Sequence, residues 1–347
     1  MQPSLTQADV AIPRLERGET FVLINEDCLQ ATRQLPDQSI DLVYADPPFF
    51  TKRVFQVDKR IAFSDRWDNG LSSYLDWITP RMREFHRILK PTGSMYLHCD
   101  THASHYLKVA MDSVFGYKNF INEVIWKRQS AHSDGKQGAR HYGRIHDTIL
   151  FYVKSKKYVW IPQFHTYEEE YVHRTYCHIE KRTNRRYALG DLTAPGGASK
   201  RNAFYTFMGL RRYWRYSQSR MEQLVRDGRI EVAPHGNLPR VKRYLDEMKG
   251  LPVQDLWIDK DLYRSRETQV YPTQKPERLL ERIILSSSEP NSIVLDPFCG
   301  SGSALAVATR FGRRCIGIDT SKSALRITEF RLKHSNASRA SNNGVMR

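Results

Sequence analysis

The sequence predicts an α/β fold, a doubly wound and mostly parallel sheet interrupted by a long insertion. Three observations carry that expectation. Strand-like and helix-like signals alternate over residues 20–154, the alternation returns over residues 271–332, and residues 155–270 between them lose regular period. Strands alternating with helices build mostly parallel sheets with helices on both faces. A chain of 347 residues with 40% hydrophobic content is long enough for one large core and an insertion.

The elements follow in chain order. An N-terminal extension, 1–19, has neither a basic lead nor an apolar run. "TFVLI" (20–24) is a short apolar strand, and "CLQATRQL" (28–35) has helical spacing. "IDLVYA" (40–45) is a buried-strand run, and "YLDWITPRMREFHRILK" (74–90) is amphipathic, with Pro80 expected to kink or start its helix. The turn "PTG" (91–93) leads into the strand "SMYLHCD" (94–100), the helix "ASHYLKVAMDSVF" (103–115) and strands near "EVIWKR" (123–128) and "DTILFYVK" (147–154). After the insertion come the helix "ERLLERIILSSS" (277–288), the strand "SIVLD" (292–296), the helix "SALAVATRF" (303–311) and the strand "CIGID" (315–319). Residues 333–347 read as a disordered tail.

Fifty-four Lys and Arg against 38 Asp and Glu give a net charge of +16, which attracts polyanions such as nucleic acid. Between Arg174 and Tyr216, ten cations meet two acids, Glu180 and Asp191, with eight aromatics interleaved. A charge run alone reads as a solvated face. Beside the charge of the whole chain it predicts a nucleic-acid face, with Lys200, Arg201, Arg211, Arg212 and Arg215 as DNA contacts. The polar loop "QSAHSDGKQGARHYGR" (129–144) is a second expected contact. The five cysteines are scattered without metal-ligand spacing, so they are expected to pack in a reducing compartment and to hold no metal. No run approaches the length of a membrane span, and the expected location is the cytoplasm, at the nucleoid through DNA binding.

"SIVLDPFCGSGSALAVATRFGRRCIGID" (292–319) is strand, glycine-containing loop, helix and strand. In a doubly wound sheet, ligands bind beyond the carboxyl ends of the strands. Gly300 and Gly302 allow close backbone approach and positive φ. Asp319 stands where an acid holds ribose hydroxyls. As a dinucleotide fingerprint the loop lacks a third glycine in register, and Asp296 ahead of it would repel a pyrophosphate. A cationic ligand suits it better, and S-adenosylmethionine, with its sulfonium and α-amino group, meets that description.

"YADPPFFT" (44–51) ends the earlier buried strand. Pro47 and Pro48 fix φ, remove two donors and leave free carbonyl acceptors. The Asp46 carboxylate beside such a carbonyl makes a pair of acceptors, and Phe49 is a planar stacking surface. Together they would grip an exocyclic amine on a flat ring. Taken alone the tetrapeptide is a stiff turn; its position at a strand end, in a chain with the second glycine-loop strand, favours a site. Phe50 is left unassigned, and its simplest expected place is packed beneath the loop.

On these residues the sequence resembles the amino DNA methyltransferases, in particular the permuted β class, in which a D-P-P-Y/F motif precedes the recognition region and F-x-G-x-G follows it. "DPPF" and "DPFCGSG" match in that order, and "EDCLQATRQLPDQSIDLVYADPPF", "RILKPTGSMYLHCD", "HDTILFYVKS" and "YPTQKPERLLERII" extend the likeness. The resemblance implies a Rossmann-like methyltransferase sheet, an inserted DNA-recognition region at 155–270 and S-adenosyl-L-methionine as cofactor. It puts Phe298, Gly300 and Gly302 along the cofactor, Asp296 near its amino group and Asp319 on its ribose. Thr273, Gln274 and Lys275 would flank the methionine end, with Asp27 and Cys28 near the adenine. Asp46 and the Pro47 carbonyl, on the loop stiffened by Pro48, would accept from the target amine while Phe49 stacks on the base. The reaction implied first is N6 methylation of a flipped adenine in double-stranded DNA. N4-cytosine methylation is the alternative, since the same pocket serves both amines, and an inactive DNA-binding relative is more remote. The class leaves open a homodimer and a cognate restriction endonuclease as partners.

Overall fold

The structure, a computed structural model, describes residues 19–50, 54–57, 60–64, 67–68, 70–130, 138, 140–200, 202–232, 238–263 and 274–342. Thr273, Arg201 and most of the N-terminal extension lie outside the described residues. The chain divides into two compact units, Met1–Gln163 with Gln254–Arg347, and Phe164–Val253.

The first unit is built on an eight-stranded sheet. In chain order its strands are β1 (Phe21–Ile24), β2 (Ile40–Ala45), β3 (Leu89–Cys99), β4 (Phe120–Lys127), β5 (His146–Val153), β6 (Leu256–Trp257), β7 (Ile293–Asp296) and β8 (Arg314–Ile318). Their spatial order is β1-β8-β7-β2-β3-β5-β4-β6. The run from β1 to β3 is parallel, β5 is antiparallel to both neighbours, and β6 is parallel to β4. The helices are α1 (Cys28–Arg33), α2 (Leu71–Ile88), α3 (Ser104–Phe115), α4 (Glu277–Ser287), α5 (Ser303–Arg310) and α6 (Lys322–Asn342).

The two-residue period of the pleat sorts side chains between the two faces. Val43, Ala45, Met95, Leu97, Cys99, Leu150 and Tyr152 join apolar residues of α1, α2 and α3 in one core. The alternate positions Leu42, Tyr44, Tyr96, His98, Val294 and Asp296 are buried on the opposite face. There the Tyr96 and Ser287 hydroxyls meet at 2.7 Å at the end of α4.

Three differences from the sequence reading have physical causes. Helix α2 runs through Pro80 without ending there. An interior proline costs about 3 kcal/mol, but Tyr74, Ile78, Met82, Phe85 and Ile88 bury one continuous face, each contributing roughly 1.5–3 kcal/mol. Helix α6 continues to Asn342, into the segment expected to be a tail. That stretch has neither Gly nor Pro before Gly344, and Lys333 pairs with Glu329 one turn earlier at 2.6 Å. The separate unit is also shorter than the expected insertion, because its flanks bond into the first unit. The Val159 and Ile161 amides donate to the Thr92 and Ser286 carbonyls at 3.1 and 2.8 Å, and the Ile125 amide donates to Asp255 at 2.9 Å.

The second unit has an antiparallel sheet of His178–Ile179, Arg186–Asp191, Pro239–Tyr244 and Ile230–Val232. A hairpin, Ala203–Phe207 with Leu210–Trp214, and the helix Gln218–Arg226 complete it. Leu192, Phe207, Trp214, Met221, Leu224 and Val241 form its own core. At its ends, Phe164–His165 pairs with Leu251–Pro252.

Candidate functional site

Strands β2 and β7 are neighbours in the sheet, with Val294 opposite Leu42 and Leu295 opposite Val43, although about 250 residues separate them in sequence. The chain leaves them toward opposite edges, which makes their carboxyl ends the topological switch point where such sheets bind ligands. A cleft opens there, with about 1080 Å³ of empty space including its open mouth. Asp46, Pro47, Pro48 and Phe49 line one side, and Asp296, Phe298, Gly300 and Asp319 the other. Asp27, Cys28, Gln274 and Lys275 also reach it.

Gly302 does not line the cleft. Its backbone, at φ 72°, caps α5, and a Cβ there would lie 2.4 Å from Thr328 Cγ2 on α6. The packing of two helices requires this glycine. Gly300, also at positive φ, donates its amide to Asp319 Oδ2 at 2.9 Å. The Asp27 carboxylate is engaged locally: it accepts from the Leu29 amide at 2.9 Å and pairs with Arg81 at 2.6 Å, which fixes the start of α1. Burial pushes the Cys28 thiol up to about 12, so it packs as an apolar group.

The cleft is acidic. Glu26, Asp27, Asp46, Asp296 and Asp319 line it, and among the described residues Lys275 is its one cation. Burial pushes the Asp296 carboxyl well above the usual carboxylate range; the Phe298 amide pulls it down, while the charges of Asp46 and Asp319 push it further up. Asp319 is also raised by burial, against hydrogen bonds from the Ser321 and Gly300 amides. Lys275 Nζ donates to Asp46 Oδ2 at 2.5 Å and lies 5.2 Å from the centre of the Phe49 ring. The residue expected at a cofactor's methionine end therefore holds the Asp46 carboxylate.

Behind Phe49 is a polar network that the sequence reading missed. The Phe49 ring lies 5.7 Å from the buried His98 ring, which Trp126 meets edge-on at 5.4 Å. His98 Nδ1 is 3.0 Å from the Tyr44 hydroxyl, and its Nε2 is 3.4 Å from Asp147 Oδ2. Arg128 Nε meets the other Asp147 oxygen at 3.2 Å. Against the upward pull of burial, the His98 hydrogen bond and the nearby positive charges hold Asp147 below the usual carboxylate range. "HCD" and "HDT" contain these residues, but only the antiparallel register of β3 and β5 brings them together. Glu26 was legible beside Asp27, whereas Trp77, whose ring meets Phe298 at 5.9 Å, carried no signal beyond its helix's amphipathic face. Phe50 stacks on Tyr74 at 6.1 Å, packing beneath the loop.

In the second unit, Lys200, Arg211, Arg212 and Arg215 are exposed on or beside the hairpin. Phe204 and Tyr213 pair at 4.5 Å on its outer face, with the Arg211 guanidinium 5.2 Å from Phe204. The basic run is not uniform: Arg185 turns to Asp246 and Glu247 at 2.8 Å. Of the loop 129–144, residues 131–137 and 139 lie outside the described residues. At its base, Arg144 donates to His102 Nε2 at 2.9 Å, and His102 Nδ1 lies 2.6 Å from Asp100. Among the described residues there is no cluster suited to a metal ion and no helix long and apolar enough to cross a membrane.

Residues 40–330 match the DNA methylase family model for N6 and N4 amino methyltransferases. The type II methyltransferase M.EcaI of Enterobacter cloacae is 30% identical over 287 residues, covering 81% of this chain and 62% of that protein. The DNA adenine methyltransferase YhdJ of Escherichia coli K12 is 29% identical over 302 residues, covering 87% and 79%. A solved complex of M1.HpyAVI with S-adenosylmethionine is 17% identical, covers 90% of this chain and 98% of that one, and superposes with a TM-score of 0.47. This chain thus spans less than two thirds of the Enterobacter enzyme's length. S-adenosyl-L-methionine is the cofactor of the family. With most of its length matched and its two motif-bearing strand ends side by side, the chain belongs to the amino DNA methyltransferases of the N6-adenine/N4-cytosine family.

Proposed function

We propose that the chain is a site-specific DNA methyltransferase that transfers a methyl group from S-adenosyl-L-methionine to the N6 amine of a flipped adenine in double-stranded DNA. The observation that carries this reading is the convergence of Asp46, Pro47 and Phe49 with the acidic wall of Asp296 and Asp319 in one cleft. The donor set fits the cofactor: carboxylates repel a phosphorylated ligand and attract a sulfonium and an ammonium, and Phe298 with Trp77 offers an aromatic wall. Asp296 would face the ammonium and Asp319 the ribose hydroxyls. Phe298 and Gly300 would follow the cofactor's length, Gln274 would lie at its methionine end, and Asp27 with Cys28 near the adenine. When bound, the cofactor supplies an electrophilic methyl on sulfur.

This chain's residues supply orientation and charge. Asp46 and the Pro47 carbonyl accept from the target amine, which favours the pyramidal nitrogen of the transition state over the planar ground state. Pro48 keeps the loop rigid, and Phe49, backed by His98, stacks on the base. An amine inside a duplex is out of reach, so the base is taken out of the stack. Lys200, Arg211, Arg212 and Arg215, with Arg201, would bind the DNA backbone, and the outer aromatic face of the hairpin would meet bases, a two-stranded ribbon being of a size to enter the major groove.

Asp-Pro-Pro in place of Ser-Pro-Pro favours adenine, as does the likeness to YhdJ. The test is mass spectrometry of nucleosides from duplex DNA incubated with the purified protein and cofactor. N6-methyladenine is expected; N4-methylcytosine in its absence moves the assignment to cytosine. Asp46→Ala should lower the transfer rate by about 10²–10³ while cofactor binding persists. A variant that methylates at the wild-type rate removes Asp46 from the chemistry.

A further inference from the structure

Lys275 and Asp46 lie 229 positions apart and meet at 2.5 Å with side chains only 14% and 16% exposed. Asp46 ends β2, and Lys275 stands just ahead of α4. The same ammonium lies over the Phe49 ring. It therefore occupies both features that a flat amine-bearing ring would need, the carboxylate that accepts its N–H and the platform on which it stacks. Target base and Lys275 compete for one place.

Lysine suits a contact that must be broken. Its charge is a compact point on a flexible four-carbon stem, unlike the planar fork of arginine. A partly buried ammonium still cannot lose its anion without a substantial cost. Among the described residues, every other charged side chain lining the cleft is a carboxylate, so Lys275 could leave Asp46 for another protein carboxylate or for an anion brought by a ligand. The reaction brings one such anion, the α-carboxylate of the cofactor's methionine end.

Building on the methyltransferase reading, we propose that Lys275 is a positioning residue that couples two binding events: it fills the target-base seat when cofactor is absent and releases Asp46 by moving to the cofactor's carboxylate. Base capture then follows cofactor binding, and the enzyme does not trap an extruded base it cannot methylate. No bond is made or broken in this step; one ion pair is exchanged for another.

The test uses the full-length protein and a duplex carrying the methylated sequence, with 2-aminopurine in place of the target base. Emission reports the base leaving the stack. S-adenosylhomocysteine retains the carboxylate without a transferable methyl, and 5′-methylthioadenosine lacks the whole amino-acid part. For the wild type, S-adenosylhomocysteine should tighten base capture on the order of tenfold, and 5′-methylthioadenosine should leave it unchanged. Lys275→Met should capture the base equally with and without S-adenosylhomocysteine, and Lys275→Arg should regain part of the dependence. Thermal melting shows whether each variant is folded, and S-adenosylhomocysteine is added at saturation because Lys275→Met removes the partner of its carboxylate. A Lys275→Met protein that keeps the wild-type dependence, or that captures no base in either state, overturns the proposal. Absence of any methylated nucleoside with the wild type would instead remove the methyltransferase reading, so the two failures are distinct.

Discussion

Asp296 is buried at the end of a strand, and its carboxyl is raised by that burial. A raised carboxyl favours its protonated form relative to an exposed one, and a cationic ligand placed beside it favours ionisation. The sign of the linkage follows. Between the higher value of the free protein and the lower value of the complex, the complex holds fewer protons, so binding releases up to about one proton and affinity rises with pH. Calorimetry of cofactor binding in phosphate and in Tris should give heats that differ in the direction of proton release, and Asp296→Asn should remove the difference and weaken binding. Equal heats in both buffers for the wild type would mean that Asp296 is already ionised or lies away from the ammonium. Lys275 contributes at the same scale, since its positive charge opposes the rise at Asp296; a change in its position would alter the protonation of Asp296.

At the scale of elements, the hairpin of the second unit has two faces of different composition. Phe207 and Trp214 face its core, while Phe204, Tyr213 and Arg211 form the outer surface. Met208 and Gly209 at its tip both have positive φ, the geometry of the tight turns that join short antiparallel strands. If Arg211 meets phosphate, Arg211→Ala should weaken binding to all duplex sequences alike and reduce the slope of log affinity against log salt by about 1, whereas a base contact would make the loss sequence-dependent. Anisotropy titrations at several salt concentrations separate the two, and no change in either quantity would take Arg211 off the DNA. Largely apolar runs such as 40–45, and a glycine loop between strand and helix at 292–311, were legible because period and local chemistry agree along one stretch of chain. The two-residue β6, the passage of α2 through Pro80 and the His98–Asp147 pair were not. Each depends on packing or register with residues far away in sequence, which no local period records. The Lys275–Asp46 contact belongs to the same class: both residues stood in recognised motifs, but their pairing is a property of the assembled fold.

For the whole molecule, charge is segregated. A chain of net charge +16 keeps an acidic cleft at its switch point, so a DNA backbone is attracted to the protein but repelled from the cleft, which suits the entry of a neutral base and a cationic cofactor. Chain connectivity makes this division testable. The second unit has its own core, and its two ends pair as adjacent antiparallel strands, His165 opposite Leu251, about 5 Å apart as strands in a sheet are. A short Gly-Ser linker can therefore replace Phe164–Val253 without stretching the flanks, which keep their own hydrogen bonds to Thr92, Ser286 and Ile125. The shortened protein should melt cooperatively and bind cofactor with near wild-type affinity, since every described cleft residue remains. Its DNA affinity should fall, and the salt slope should shrink by about 0.9 for each phosphate contact removed. Calorimetry with S-adenosylhomocysteine and anisotropy with duplex DNA measure the two quantities independently. A shortened protein that binds DNA with the full slope would assign the backbone contacts to the first unit, with Arg144 at the base of loop 129–144 as the first residue to change.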